Sequence, residues 1–333
     1  MPTVNAVGAD ILFTDFMKDW LEMTRSNIEI TTYGSYSYAV NAVIVPYFEK
    51  LGIQLCNLSP KNIQDFYTYN MNVRGVTANT VIHYHANIRK ALKYAVNTDL
   101  IQFNPADKIQ RPKRNKYIGK FYNVEEVNEL FSAVKGHKLE LAIMLAAFYG
   151  LRRGEVVGLK WDAIDFLNNT ITIRHTVTAG MIDGKFTTVE KSTKNKSSNR
   201  SLPLIPEFAD MLQKEKQRQI SNRTLCGDSY NEKYTDYICV DDIGNRISPG
   251  VITENFPRIL KRNNLRKIRF HDLRHTCASL LLANGVSMKD IQEWLGHSDF
   301  GTTANTYAHL MVDSKQDSAN AMRSSGIAIG VSA

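Results

Sequence analysis

The sequence predicts a mainly α-helical protein with a small antiparallel β-sheet, an α+β chain in two domains. Three observations carry that fold class. Apolar residues recur at helical spacing through most of the chain. Strand and hairpin signals are short and cluster around Ile171, Asp183-Gly184 and Tyr237. A stretch rich in proline and cations between Pro105 and Tyr122 divides the 333 residues, enough for two cores.

Residues 1–9 read as a leader. Residues 10–105 form the first domain, a module of four helices. Leu12, Phe13, Phe16, Met17, Trp20 and Leu21 make the stripe of its first helix. A second helix is predicted from Thr31, burying Tyr36, Val40, Val43, Ile44 and Phe48. Ser59-Pro60, a capping residue before a proline at the first helical position, opens a third. Thr77 caps a fourth, with Val81, Tyr84, Ile88, Leu92 and Ala95 inward. Residues 106–121 form a linker holding Lys108, Arg111, Lys113, Arg114, Lys116 and Lys120 against a lone acid, Asp107. Such a run is ordinarily a solvated hinge; the reading favoured here is that it lies along a phosphate backbone.

Residues 122–333 make the second domain and a tail. Asn123 with Glu126 forms a capping box, and a buried helix from Leu139 to Tyr149 leads into Gly150-Leu151-Arg152. Ile171, Ile173 and His175 alternate as a strand, and Asp183-Gly184 signals a hairpin. Lys191 to Arg200 reads as a solvated loop that re-enters order at Leu202. Tyr237 to Val240 is expected as a strand, and Ser248-Pro249 starts another helix. Two buried helices follow, the first broken at Asn284-Gly285 and the second ended by Gly296.

At 43% hydrophobic and 22% charged residues, the composition is that of a globular protein, and no segment approaches a membrane span. A formal charge of +8 points toward a polyanionic partner. Cys56, Cys226, Cys239 and Cys277 lack metal-ligand spacing and are expected to be reduced thiols in mostly apolar surroundings. A cytoplasmic location follows as an expectation. One polar set sits oddly among buried helices: His271 and Arg274, three apart, then His297 and, ten residues on, Tyr307. Convergent cationic donors with a hydroxyl nearby are what phosphate chemistry needs.

The motifs Gly150-Leu151-Arg152 with Glu155, Lys194-Asn195-Lys196-Ser197-Ser198 running to Arg200 and Leu202-Pro203-Leu204, His271-Asp272-Leu273-Arg274-His275-Thr276, and Leu295-Gly296-His297 with Tyr307 occur in order. In this the chain resembles the tyrosine recombinase (phage-type integrase) family over roughly residues 123–309, and its helical module resembles that family's SAM-like core-binding domain. Asn195 departs from the usual threonine, and no further N-terminal arm-binding domain is expected.

The resemblance implies a C-shaped clamp around duplex DNA and a site-specific recombinase that integrates or excises a mobile element or prophage. Tyr307 would attack the scissile phosphate, leaving a 3′-phosphotyrosyl link and a free 5′-hydroxyl. Arg152 and Arg274 would neutralise the phosphate, and Lys194 would protonate the leaving oxygen, with Lys191 and Lys196 as alternatives. His271 would exchange a proton with Tyr307, and His297 would bond the phosphate. No cofactor, metal or ATP is implied. The partners implied are double-stranded DNA recombination sites, further copies in a homo-oligomer (a tetramer) on DNA, and accessory excision or DNA-bending proteins, with no membrane. The tail after Tyr307 is expected to dock on a neighbouring protomer.

Competing readings weigh less. A metal cluster of His271, His275 and His297 would have a guanidinium in its midst and no carboxylate or thiolate at ligand spacing. A DNA-binding factor that does not cut has no use for a phosphate-facing tyrosine. A type IB topoisomerase shares the chemistry, but the helical module favours recombination.

Overall fold

Two large apolar cores organise the chain, one in each of two units. The computed structural model describes residues 10–115, 119–182, 184–192, 199–298, 301 and 322–324. The units are Met1–Tyr117 with Gly180–Thr187, and Ile118–Ala179 with Thr188–Ala333.

In the first unit, α1 (Phe13–Thr24) buries Phe13, Phe16, Met17, Trp20 and Leu21. Leu12, expected in that stripe, caps the helix instead and is largely exposed. The expected second helix is broken into α2 (Ile30–Ala39) and α3 (Val45–Phe48), joined by one π turn, Val40–Ile44. Pro46 has no N–H to continue an α ladder, and the Val45 N–H bonds the Val40 carbonyl, five residues back. A capping box between Ser59 and Asn62 starts α4 (Pro60–Asn72), and Thr77 caps α5 (Ala78–Asn97). All five apolar residues expected inward on α5 are buried. The module runs past its expected end at Pro105: a 3₁₀ turn, Pro105–Lys108, buries Ala106 in the same core. Asp107 there pairs with Arg89 at 2.5 Å.

The second unit begins with α6 (Val124–Val134), capped by the Asn123–Glu126 box, then α7 (Glu140–Tyr149) and α8 (Arg153–Val157). Strands β1 (Ile164–Asp165), β2 (Thr170–Ile173), β3 (His175–Ile182), β4 (Lys185–Ser192) and β5 (Arg200–Pro203) follow. They form two sheets, β1–β2–β5, which is antiparallel, and the pair β3–β4. Three strand expectations are corrected. His175 does not continue β2: pairing with β5 ends at Ile173, and His175 opens β3 in the other sheet. Lys191 and Ser192 belong to β4, and Arg200 to β5, so the ends of the run expected as a loop lie in strands. Tyr237 to Val240 makes single bridges, to Lys160 and Arg246, because its backbone groups alternate between two partner segments.

The longer helices that follow are α9 (Pro206–Cys226), α10 (Pro249–Arg262), α11 (Asp272–Ala283) and α12 (Met288–Leu295). Tyr149, Ile171, Ile173, Phe208, Phe256 and Leu273 share their core. Cys277, Ala278, Ile291 and Leu295 form a smaller apolar cluster between α11 and α12. Cys239 and Cys277 are buried, which pushes both thiols up to about 12; Cys226 is half-buried and Cys56 exposed. Among the described residues no helix is long and apolar enough to cross a membrane.

Gly150 ends α7 in the left-handed region, φ 64°, where a side chain is strained. A Cβ there would fall on Leu295 Cδ2 and lie 3.2 Å from Cys277 Sγ. Close backbone approach thus sets the turn that presents Arg152. Gly150→Ala is expected to lower unfolding free energy by about 2–4 kcal/mol, combining backbone strain with overpacking. Urea denaturation measures this, and an unchanged midpoint would show that the turn relaxes freely.

Candidate active site

The C-terminal end of α12 is where Arg152, Arg274 and His297 meet. A helix leaves its last carbonyls without intrahelical partners, and its dipole makes that end negative. Here three successive carbonyls each receive a guanidinium from a different element. Arg200, opening β5, donates from Nε to the Trp294 carbonyl at 2.8 Å. Arg274, in the first turn of α11, donates from Nη2 to the Leu295 carbonyl at 2.6 Å. Arg152, the residue before α8, donates from Nη2 to the Gly296 carbonyl at 3.0 Å. Arg274 also spans to α7, giving Nη1 to the Gly150 carbonyl at 2.7 Å. Gly296, with φ 69°, then turns the chain so that His297 follows directly. The His297 N–H donates to Gln292 O, and the Gln292 amide returns a bond to His297 O at 3.0 Å.

Glu155 is the counter-ion. It is 3% exposed, one turn into α8. Its Oε1 accepts from Arg152 Nη1 at 2.6 Å and its Oε2 from Arg200 Nη2 at 2.9 Å. Oε2 also caps the backbone N–H of Arg152 at 3.0 Å. Burial alone would push this carboxyl up; Arg200, then Arg152 and Arg274, overcome it and hold the carboxyl down at about 2. At neutral pH one carboxylate therefore faces three guanidiniums, so the cluster stays net positive. The ion pair between Arg152 and Glu155 is also what an ordinary helix start would show. What goes beyond it is the bond to Gly296 and the part-exposure of the Arg152 side chain, 36%.

His271 caps α11, and its ring meets that of His275 edge-on, centroids 5.5 Å apart. His271 keeps an exposed face, yet desolvation by the protein around the rest of its ring, then His275 and Arg274, push it down to about 4. Burial, then Arg274 and Arg152, push His297 down to about 3. Both imidazoles are thereby held neutral at pH 7. Among the described residues no three His, Cys, Asp or Glu side chains are gathered as metal ligands. Of the six residues predicted for the site, Arg152, His271, Arg274 and His297 lie in this one region. Lys194 and Tyr307, and the apolar residues Leu310 to Val312 of the tail, lie outside the described residues.

Two residues of the cluster have no role assigned by sequence reasoning, Glu155 and Arg200. For Arg200 the signal was available in parity. Leu202 and Leu204 point inward, so the alternating strand also carries Arg200 inward, and it is 9% exposed. For Glu155 only the spacing from Arg152 was visible. The strand before residues 193–198 is also held: Glu190 of β4 accepts from Arg246 Nη1 at 2.6 Å. The Arg246 guanidinium lies 5.0 Å from the ring of Tyr234 and 4.9 Å from that of Tyr237.

The chain is similar to known proteins over most of its length. The model of the phage integrase family matches residues 120–313, and that of the phage integrase N-terminal SAM-like domain matches residues 12–71. A tyrosine recombinase XerC-like protein of Caldanaerobacter subterraneus is 29% identical over 331 residues, covering 94% of this chain and 83% of that protein. The ICEBs1 integrase of Bacillus subtilis is 28% identical over 295 residues, 86% of this chain and 76% of that one. Among solved structures, the Tn1549 transposon integrase in complex with a circular intermediate DNA aligns with a TM-score of 0.77 at 19% identity, over 94% of this chain and 99% of that one. A lambda integrase dimer bound to a COC′ core site aligns with 0.63 at 17% identity, over 89% and 95%. These two likenesses are of fold.

The histidine shifts have a sign that can be tested. Both pKa values lie below the unfolded value of about 6.5. Between pH 6.5 and 4 the unfolded chain therefore binds more protons, and stability falls as pH falls through that window. Glu155, held at about 2, extends the loss below its ordinary range with the same sign. The melting temperature should drop progressively below pH 6.5, and His271→Gln with His297→Gln should flatten that decline. An identical decline in the double variant would assign the acid sensitivity to other groups.

Proposed function

The chain belongs to the phage integrase family, and from that membership we propose how its own residues break and rejoin DNA. It is a tyrosine recombinase, an enzyme of site-specific recombination of mobile DNA. The observation that carries the residue assignment is the convergence of Arg152, Arg274 and His297 on the end of α12. A phosphodiester repels nucleophiles by its own charge, and its transition state gathers more charge on the non-bridging oxygens. Guanidiniums held by fixed carbonyls meet that charge without reorganising. Arg152 and Arg274 bind the phosphate in this reading, and His297 donates a hydrogen bond to it.

Tyr307 is the nucleophile. Its oxygen forms the new bond to phosphorus as the bond to the 5′-oxygen breaks, and Lys194 supplies the proton that the leaving oxygen takes up. His271, neutral at pH 7, accepts the proton of the tyrosine hydroxyl. Phosphotyrosine keeps the energy of the broken ester, so attack by another strand's 5′-hydroxyl rejoins DNA without ATP. Both units bind DNA, the cations of residues 106–121 neutralise its phosphates, and copies assemble as a tetramer on paired sites. Accessory excision or DNA-bending proteins are further partners in this reading, and the enzyme works in the cytoplasm.

The test uses duplexes selected by this protein from random sequence, then nicked at successive positions to trap the covalent adduct. Tyr307→Phe should abolish the adduct while binding stays within about twofold, because only a hydroxyl is removed. Arg152→Ala and Arg274→Ala should each slow cleavage about 10²–10³-fold. An adduct formed by the phenylalanine variant would remove Tyr307 from its role.

Salt dependence tests the clamp. Each phosphate that the protein no longer neutralises should reduce the slope of log affinity against log salt by about 0.9. Neutralising Arg111, Lys113, Arg114 and Lys116 together should thus flatten it by up to about 3–4. An unchanged slope would return the segment to a solvated hinge.

A further inference from the structure

We infer that Arg200 is a positioning residue for the cleavage step, acting through Glu155 to keep Arg152 available to the scissile phosphate. The inference rests on the reading of Arg152 as a phosphate ligand. Glu155 is buried against Arg152, and a carboxylate paired with one guanidinium cancels its charge. Such a pair binds a phosphate poorly, because the anion already present competes for the same N–H donors. Arg200 changes the balance. It approaches the carboxylate in fork fashion, Nη2 at 2.9 Å from Oε2 and Nη1 at 3.4 Å from Oε1. The shared carboxylate then holds Arg152 by one Nη1 bond while Arg200 offsets its charge. The third Arg200 bond, from Nε to the Trp294 carbonyl at 2.8 Å, ties the same guanidinium to the end of α12. Arg152 bonds the Gly296 carbonyl two residues further on. A single buried arginine thus fixes both the anion and the helix end between which Arg152 is suspended. Lysine cannot do this, since one ammonium does not reach three acceptors in a planar fork.

Arg200 also begins the strand that follows residues 193–198, so a defect on its removal has a rival cause, misplacement of Lys194. The two causes separate by leaving group. A 5′-bridging phosphorothiolate needs no proton on departure, so it rescues loss of a general acid. It does not rescue loss of phosphate neutralisation. Single-turnover cleavage and binding would be measured on the selected duplex for wild type, Arg200→Gln and Arg200→Lys, each first shown by thermal melting to be folded. Arg200→Lys keeps a charge opposite Glu155 and covers the case in which the glutamine variant does not fold.

Cleavage should slow about 10–10²-fold for Arg200→Gln, the scale of a small misplacement at a reacting centre, with affinity within about twofold. Arg200→Lys should be intermediate. Neither should be restored by the phosphorothiolate, and combining either with Arg152→Lys should add little to the Arg152→Lys defect. Rescue by the sulfur substrate, or fully additive losses, would overturn the inference. A wild-type protein that cleaves neither substrate would instead overturn the proposed function.

Discussion

The end of α12 is the constraint on which the site depends. Trp294, Leu295 and Gly296 carry carbonyls that the helix itself cannot satisfy, and Arg200, Arg274 and Arg152 satisfy them one each. Those arginines come from β5, α11 and the start of α8, so one helix terminus draws three elements to one point. The interaction is mutual. The negative end of the helix dipole offsets part of the repulsion among three cations, and fixed carbonyls orient guanidiniums that would otherwise be mobile. Glu155 supplies the remaining compensation without cancelling the positive charge.

The surrounding fold makes that arrangement reachable. Leu295 packs with Cys277 and Ile291 between α11 and α12, which sets the depth of the helix end. Gly150 lets α7 stop against Leu295 and Cys277, so the turn carrying Arg152 passes within reach of Gly296. Arg274 then bonds the carbonyls on both sides, Gly150 and Leu295, joining the two helix ends. Polar groups this buried are costly unless paired, and here pairing and positioning are accomplished by the same bonds.

Neutral histidines fit such a site. His271 and His297 stand partly desolvated beside guanidiniums, which holds both imidazoles neutral at pH 7. A phosphate entering among the arginines would oppose that shift, raising both pKa values as negative charge arrives. Proton affinity at the two imidazoles would thereby be linked to the arrival of an anion among the arginines.

Much of this was legible in the chain itself. Periodicity and caps located most helices, including α4, α5, α6 and α10, because these depend on residues a few positions apart. Motif order pointed to Arg152, His271, Arg274 and His297 before any of them was placed in space. Local pattern was weaker where a distant partner decided the outcome. Tyr237 to Val240 has strand composition but makes only isolated bridges, since its neighbours come from two separate segments. Ile173 and His175 share a parity yet fall in different sheets, because β5 ends its pairing at Ile173. Arg200 looked like one more cation in a solvated run. Strand parity turns it inward, but only the tertiary structure, by bringing β5, α8 and α12 together, made Glu155 and Trp294 its partners. Sequence by itself determined which residues could do phosphate chemistry, since that is a property of side-chain type and spacing. Which of them share a carboxylate or a helix end was decided by packing between elements up to 144 positions apart in the chain, a distance over which no local periodicity carries information.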